Sequence, residues 1–170
     1  LVWFTAPAAK RRSPRWRAPA CALALAVVVL ALWPLGPARG PWAAFLDVGQ
    51  GDGAVLRLSD GTVWLVDVGD DRGPGDAAAN AILPFLRHAR VRSLDGLILT
   101  HRHRDHTEAL GPLLDGVPVR EVYDAGYGSG PTAAAVDSIL GAHRRWACLV
   151  AAGDTLHAAP GVLVTALHPR

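Results

Sequence analysis

The chain reads as an α/β domain, a mixed sheet with helices packed on it, preceded by one membrane-spanning helix. Three observations predict this. Residues 18–38, "APACALALAVVVLALWPLGPA", carry no charge, and about 20 apolar residues in a helix cross a bilayer. Residues 42–68 hold short apolar runs separated by glycine turns, the pattern of paired strands. From residue 77 onward strand-like and helix-like runs alternate, which adds strands through helical crossovers.

The chain has 170 residues and no Met, and it opens on "LVWFTAPAAK". That start, and an end at "ALHPR", read as a piece of a longer protein. Residues 1–17 are expected to be the end of an earlier hydrophobic segment and a basic cytoplasmic loop, "KRRSPRWR". Positive charge on that side puts residues 40–170 across the membrane. The net charge of +2 hides an asymmetry: residues 1–42 carry six basic groups and no acid. The remainder has 11 basic groups against 15 acidic ones, a balance of about −4. No broad basic face for nucleic acid is expected there. Cys21 and Cys148 fit neither a zinc knuckle nor a redox motif and are expected to be buried thiols.

After the linker "PLGPARGP", "WAAFLDV" (42–48) predicts a strand and "GQGDG" (49–53) a tight turn. "AVLRL" (54–58) and "TVWLVDV" (62–68) flank "SDG", a hairpin signal. "AAANAILPFLRHA" (77–89) predicts a helix with Asp76 at its start and a weak point at Pro84. "SLDGLILT" (93–100) is a strand, "TEALGPLLDG" (107–116) a short helix and "VREVYDAG" (119–126) a strand. "PTAAAVDSILGAHRRW" (131–146) is a helix opened by proline. "CLVAA" and "GVLVTALHP" close as strands, with "GDTLHAAPG" as the turn region between them.

The chemistry concentrates in "LTHRHRDHTEAL" (99–110). Three of the chain's seven histidines and an aspartate fall within six positions, directly after an apolar strand. A strand end frees these side chains from helical periodicity. His101 and His103 can turn toward one point, and Asp105 and His106 toward a second. Imidazole and carboxylate suit Zn²⁺, Mn²⁺ or Fe. Two such ions can clamp a scissile ester or phosphodiester. His88, His143, His157 and His168 are isolated and are weaker candidates.

H-x-H-x-D-H after an apolar strand resembles the signature of the metallo-β-lactamase superfamily, and "LVDVGD" (65–70) resembles its earlier Asp-x-Gly motif. "FLDVGQGDG" (45–53) is similar to the entry motif of that domain in ComEC/Rec2-type competence proteins, membrane channels of DNA uptake. The resemblance spans about 40–170. It implies an αββα sandwich, of which residues 39–170 would be the N-terminal half. It implies two divalent ions, Zn or Mn. His101 and His103 would hold one, and Asp105 and His106 the other, with the attacking water activated beside Asp105 and His106. Asp67 would support the ligands by hydrogen bonding. Asp47, Gln50 and Asp52 would line the rim, with turn capping as the other role for Asp52. Arg102 and Arg104 depart from the family's small residues and are either phosphate contacts or solvated groups. Glu108 stands near the metals where the family has glycines.

The same resemblance implies a bridging Asp and a further His that these 170 residues do not contain. The isolated chain is therefore expected to bind metal weakly and to lack hydrolase activity. The implied whole protein is a multi-pass protein of a bacterial cell membrane, its hydrolase-like domain extracytoplasmic. It would act as a phosphodiesterase or nuclease on single-stranded DNA, with other competence proteins as candidate partners. Two alternatives stay open: a hydrolase of small esters or lactams, and a non-catalytic extracytoplasmic domain of a transport channel.

Overall fold

The computed structural model describes Leu23, Val27, residues 40–70 and residues 76–168. The chain divides into two compact units, Leu1–Gly36 and Pro37–Arg170. The basic loop (1–17) and the expected span (18–38) lie outside the described residues, apart from Leu23 and Val27, which are helical. Among the described residues, no helix is long and apolar enough to cross a membrane.

The second unit is built on a six-stranded sheet. Strands β1 (Trp42–Phe45), β2 (Ala54–Arg57) and β3 (Val63–Val66) form an antiparallel meander. The "SDG" turn closes the second hairpin: Asp60 accepts from the backbone N–H of Thr62, and Gly61 takes φ +92°. Strands β4 (Leu94–Leu99), β5 (Val119–Asp124) and β6 (Ala147–Leu149) then add in parallel after β3. Parallel neighbours need crossovers, which explains the alternation of strand and helix after residue 77.

The first crossover starts with a wide π-helical turn, Ala78–Ile82, and continues as α1 (Leu83–His88). Proline has no N–H, and its ring clashes with the carbonyl four residues back. The chain widens just before Pro84, and Leu83 N–H reaches Ala78 O. Asp76 caps the start by accepting from Ala79 N–H at 2.6 Å. A short helix, α2 (Arg104–Thr107), carries Asp105 and His106, which were expected on a loop, and the helix expected over 107–116 starts only at Leu110, as α3 (Leu110–Gly116). Helix α4 (Pro131–Ala142) stops short of the expected residue 146, where Arg144 takes φ +54°.

The core lies between this sheet and the helices. Val55, Leu65, Leu97, Leu99 and Val122 from the strands meet Ile82, Leu86, Leu110, Leu113 and Leu140 from the helices. Central β4 is buried along nearly its whole length, as a strand between parallel neighbours should be. Gly96 lets the Trp64 ring lie on its backbone, since a Cβ there would come within 2.3 Å of that ring.

Two expectations need correction. Thr155–Ala159, expected within a turn region, is strand β7 and pairs with β8 (Val162–Thr165) as a separate hairpin. Only Pro160 and Gly161 form the turn, so the glycine and proline that suggested a longer loop belong to its tip. Cys148 is exposed rather than buried, because β6 is an edge strand.

Candidate metal centre

The site forms where the parallel strands end. Asp67 follows β3, and the 100–106 segment follows β4. The ladder continues one residue past β3, with Asp67 N–H donating to Ile98 O at 2.9 Å. Asp67 takes φ +54°, a left-handed conformation that Asp tolerates better than most residues. Val68 N–H then reaches His106 O at 3.0 Å, tying the two strand ends together.

Asp67 is almost wholly buried. Its Oδ1 accepts from Thr100 N–H at 2.8 Å. Its Oδ2 accepts from the Thr100 hydroxyl at 2.6 Å and faces His106 Nδ1 at 2.9 Å. The Thr100 oxygen lies 3.0 Å from His101 Nδ1. These contacts assign the tautomers. A carboxylate only accepts, so His106 Nδ1 carries the proton, and Thr100 donates its single hydrogen to Asp67. The Thr100 oxygen then accepts from His101 Nδ1–H. Both rings are left with a lone pair on Nε2, the form a metal ligand needs.

His101 is held below the ordinary imidazole value, first by burial and next by the charge of His106, with Asp67 opposing. That favours the neutral ring. The rings gather closely: His101 and His106 have centroids 3.9 Å apart, and His101 and His103 are 4.8 Å apart in an edge-on arrangement. Asp105 Oδ2 lies 3.7 Å from His106 Nε2. With the proton on Nδ1, that contact sets two acceptors against each other, an arrangement a cation bridges. One ligand atom from each of Asp67, His101 and His106 lies within 4.8 Å of the other two. His103 and Asp105 stand outside that group and Asp67 within it supports the other two, so its imidazoles are the part that fits a divalent ion of borderline hardness.

The glycine-rich turn covers this centre. Gly51, at φ +98°, passes so close to Asp105 that a Cβ would sit 1.6 Å from its carbonyl oxygen. Asp52 reaches to 3.8 Å from His106 Nδ1 but is largely exposed. Asp47 accepts from Gly49 N–H at 3.2 Å and shapes the turn. A cavity of about 300 Å³ lies on this side, bordered by Gly51, Asp52, Asp67 and His101. On the other side, a cavity of about 680 Å³ opens on His101 and His103 and is walled by Leu156, Val164, Tyr127 and His168. Tyr127 and His168 stack there, 5.7 Å between centroids.

Arg102 is not the solvated group that was one of its two expected roles. It is turned inward and is largely buried, with its Nε donating to Asp124 at 2.6 Å. Arg104 pairs with Glu108 one helical turn on, so the two departures from the family pattern bind each other. His157 is on a strand rather than in a turn, bonded to Asp60 and beside Trp64. His143 bonds Asp115 and the carbonyl of Ile139. Sequence reasoning missed Thr100 and Asp124. Each is a polar residue closing an apolar strand, "LILT" and "EVYD", and that position was the available signal.

The family model of the metallo-beta-lactamase superfamily matches residues 46–168. The chain belongs to the metallo-beta-lactamase superfamily. Members of the superfamily usually bind divalent metals, in keeping with the donor set here. Hydroxyacylglutathione hydrolase of Shewanella sp. (strain ANA-3) is 36% identical over 69 residues, covering 38% of this chain and 25% of that protein. The uncharacterized protein YcaI of Escherichia coli (strain K12) is 35% identical over 96 residues, 55% of this chain and 12% of that one. Competence protein ComA of Neisseria gonorrhoeae is 28% identical over 141 residues, 68% of this chain and 20% of that one. This superfamily member thus spans a quarter or less of the length of these curated relatives.

Proposed function

We propose that this chain is the N-terminal part of a metal-dependent hydrolase domain acting on DNA within a membrane-bound DNA-uptake protein. The observation that carries the hydrolase reading is the pair of imidazoles, His101 and His106, oriented through Thr100 and Asp67 beside Asp105. The narrower reading is supported by "DVGQGDG", whose Gly51 lies on the Asp105 backbone, and by the similarity to ComA. The uncharged run 18–38 supports membrane anchoring, with residues 40–170 extracytoplasmic.

His101 and His103 would hold one Zn or Mn ion, and Asp105 and His106 a second. When bound, such ions polarise a phosphoryl oxygen and make water nucleophilic at neutral pH. The chain's own residues fix the donors. Asp67 holds the proton on His106 Nδ1, Thr100 holds that on His101 Nδ1, and Gly51 lets the covering loop close on Asp105. Single-stranded DNA is the proposed substrate, and other competence proteins are the proposed partners.

A second reading, hydrolysis of a small thioester, is favoured by the similarity to hydroxyacylglutathione hydrolase. The whole protein, loaded with Mn²⁺ or Zn²⁺, separates the two when given single-stranded DNA, a chromogenic lactam and an acylated glutathione. Cleavage of DNA that is lost in His101→Ala is expected. Cleavage of the thioester or lactam with DNA untouched overturns the DNA reading.

A further inference from the structure

We propose that Arg102 is a positioning residue that locks the two-histidine segment of the metal centre, through a clamp formed with Asp124 and Asp137. The inference rests on the reading of His101 and His103 as ligands. Arg102 stands between them in the chain, and both its backbone and its guanidinium are held. Its backbone N–H donates to Tyr127 O at 2.7 Å. Its Nε donates to Asp124 Oδ2 at 2.6 Å, and its Nη1 to Asp137 Oδ2 at 3.0 Å and to the carbonyl of Ala133 at 3.4 Å. Gly128, at φ +118°, lies so near that a Cβ would meet the Arg102 Cβ at 2.9 Å.

Asp124 is fully buried, and its other oxygen accepts from Gly126 N–H at 2.7 Å. A buried carboxylate without a cationic partner is strongly unfavourable, so Asp124 and Arg102 require each other. The clamp therefore joins three elements to the ligand segment: the end of β5, the glycine-rich loop 125–130 and helix α4. The guanidinium fork matters more than its charge. Lysine would supply a cation but could not bond Asp124 and Asp137 from one planar group. Because residue 102 is held at backbone and side chain, the flanking imidazoles have little freedom to splay. That is the preorganisation a metal site needs from its supporting residues.

Asp137 is the member through which the clamp can be loosened without unfolding, because its side chain is 65% exposed. The test titrates the whole protein with Co²⁺ alone and follows the visible absorption of the bound ion, with melting in EDTA as a parallel readout. For Arg102→Lys we expect Co²⁺ affinity to fall roughly 10- to 100-fold, the usual effect of removing a ligand's support, with an altered band shape. Asp137→Asn should fall in the same direction with its metal-free melting nearly unchanged. Arg104→Ala, the neighbouring arginine outside the clamp, should leave the spectrum as it is. Wild-type affinity and spectrum in both Arg102→Lys and Asp137→Asn would overturn the clamp while leaving the metal reading intact. An equal loss in Arg104→Ala would overturn it as well. Absence of saturable Co²⁺ absorption in the unaltered whole protein would overturn the metal reading, and the clamp with it.

Discussion

Asp67→Asn tests the hydrogen-bond chain that prepares the two imidazoles. The substitution keeps the shape of the side chain, and Asn accepts φ +54° as readily as Asp does, so the backbone contribution cancels. Only the hydrogen bonding changes. Asp67 accepts three bonds: two from Thr100, through N–H and hydroxyl, and one from His106 Nδ1. With its oxygen kept on Thr100 N–H, Asn points its NH₂ at the other two donors. Relief requires the Thr100 hydroxyl to turn and donate to His101 Nδ1, and His106 Nδ1 to become an acceptor. Both rings then carry their proton on Nε2, where a metal would bind. Three charge-assisted bonds become neutral ones at about 1 kcal/mol each. The variant also no longer buries a carboxylate, so a net loss of about 1–3 kcal/mol is expected. Co²⁺ affinity should fall roughly 10- to 100-fold. Urea unfolding in EDTA measures the first quantity, and ¹⁵N chemical shifts of the imidazoles report the tautomers. If both rings keep the Nδ1 proton in the variant, the assignment of donors and acceptors is wrong.

Gly51→Ala should strain a left-handed backbone by about 1–2 kcal/mol and also drive the loop off Asp105, seen as a lower melting temperature and weaker Co²⁺ binding. Leu97→Ala, at a fully buried position of β4, should destabilise by about 2–5 kcal/mol in urea unfolding. Asp60 is held down to about 2 from the ordinary 3.8, first by its bond with His157 and next by Thr62 N–H. A depressed carboxyl stabilises the fold above its ordinary value. That contribution should be lost as pH falls from about 3.8 toward 2, and a ¹³C titration should find the Asp60 midpoint raised toward the ordinary value in His157→Ala, with Thr62 still holding it down.

The strands from Trp42 to Val66 were readable because their apolar runs end at turn glycines, and β4 because of its apolar run Leu97–Leu99. The hairpin of β7 and β8 was not, since β7 is a half-exposed ribbon strand without clear alternation. The short helix Arg104–Thr107 was hidden because Asp, His and Thr are weak helix formers. At the site, the histidine cluster announced itself by composition. Its supports did not. Thr100 matters because the parallel register sets it beside Asp67, 33 residues earlier. Arg102 finds Asp137 35 residues away. Spacing in the chain carries no record of such meetings, and so Arg102 read as a group for phosphate or solvent.

The parallel order of β3, β4 and β5 has a consequence for how an ion and the folding reaction are linked. Asp67, His101 and Asp124 arrive at one rim of the sheet from three separate strand ends, so no short peptide contains the preorganised centre. The proposed ligands all lie within residues 101–106, but the contacts that orient them, through Asp67 and Asp124, form only once both ladders are zipped. An added ion should therefore act as a selective brake on cooperative opening. Backbone amides of β3, β4 and β5 should exchange with deuterium more slowly in its presence, while those of the β7–β8 ribbon, which contributes no ligand, continue at their own pace.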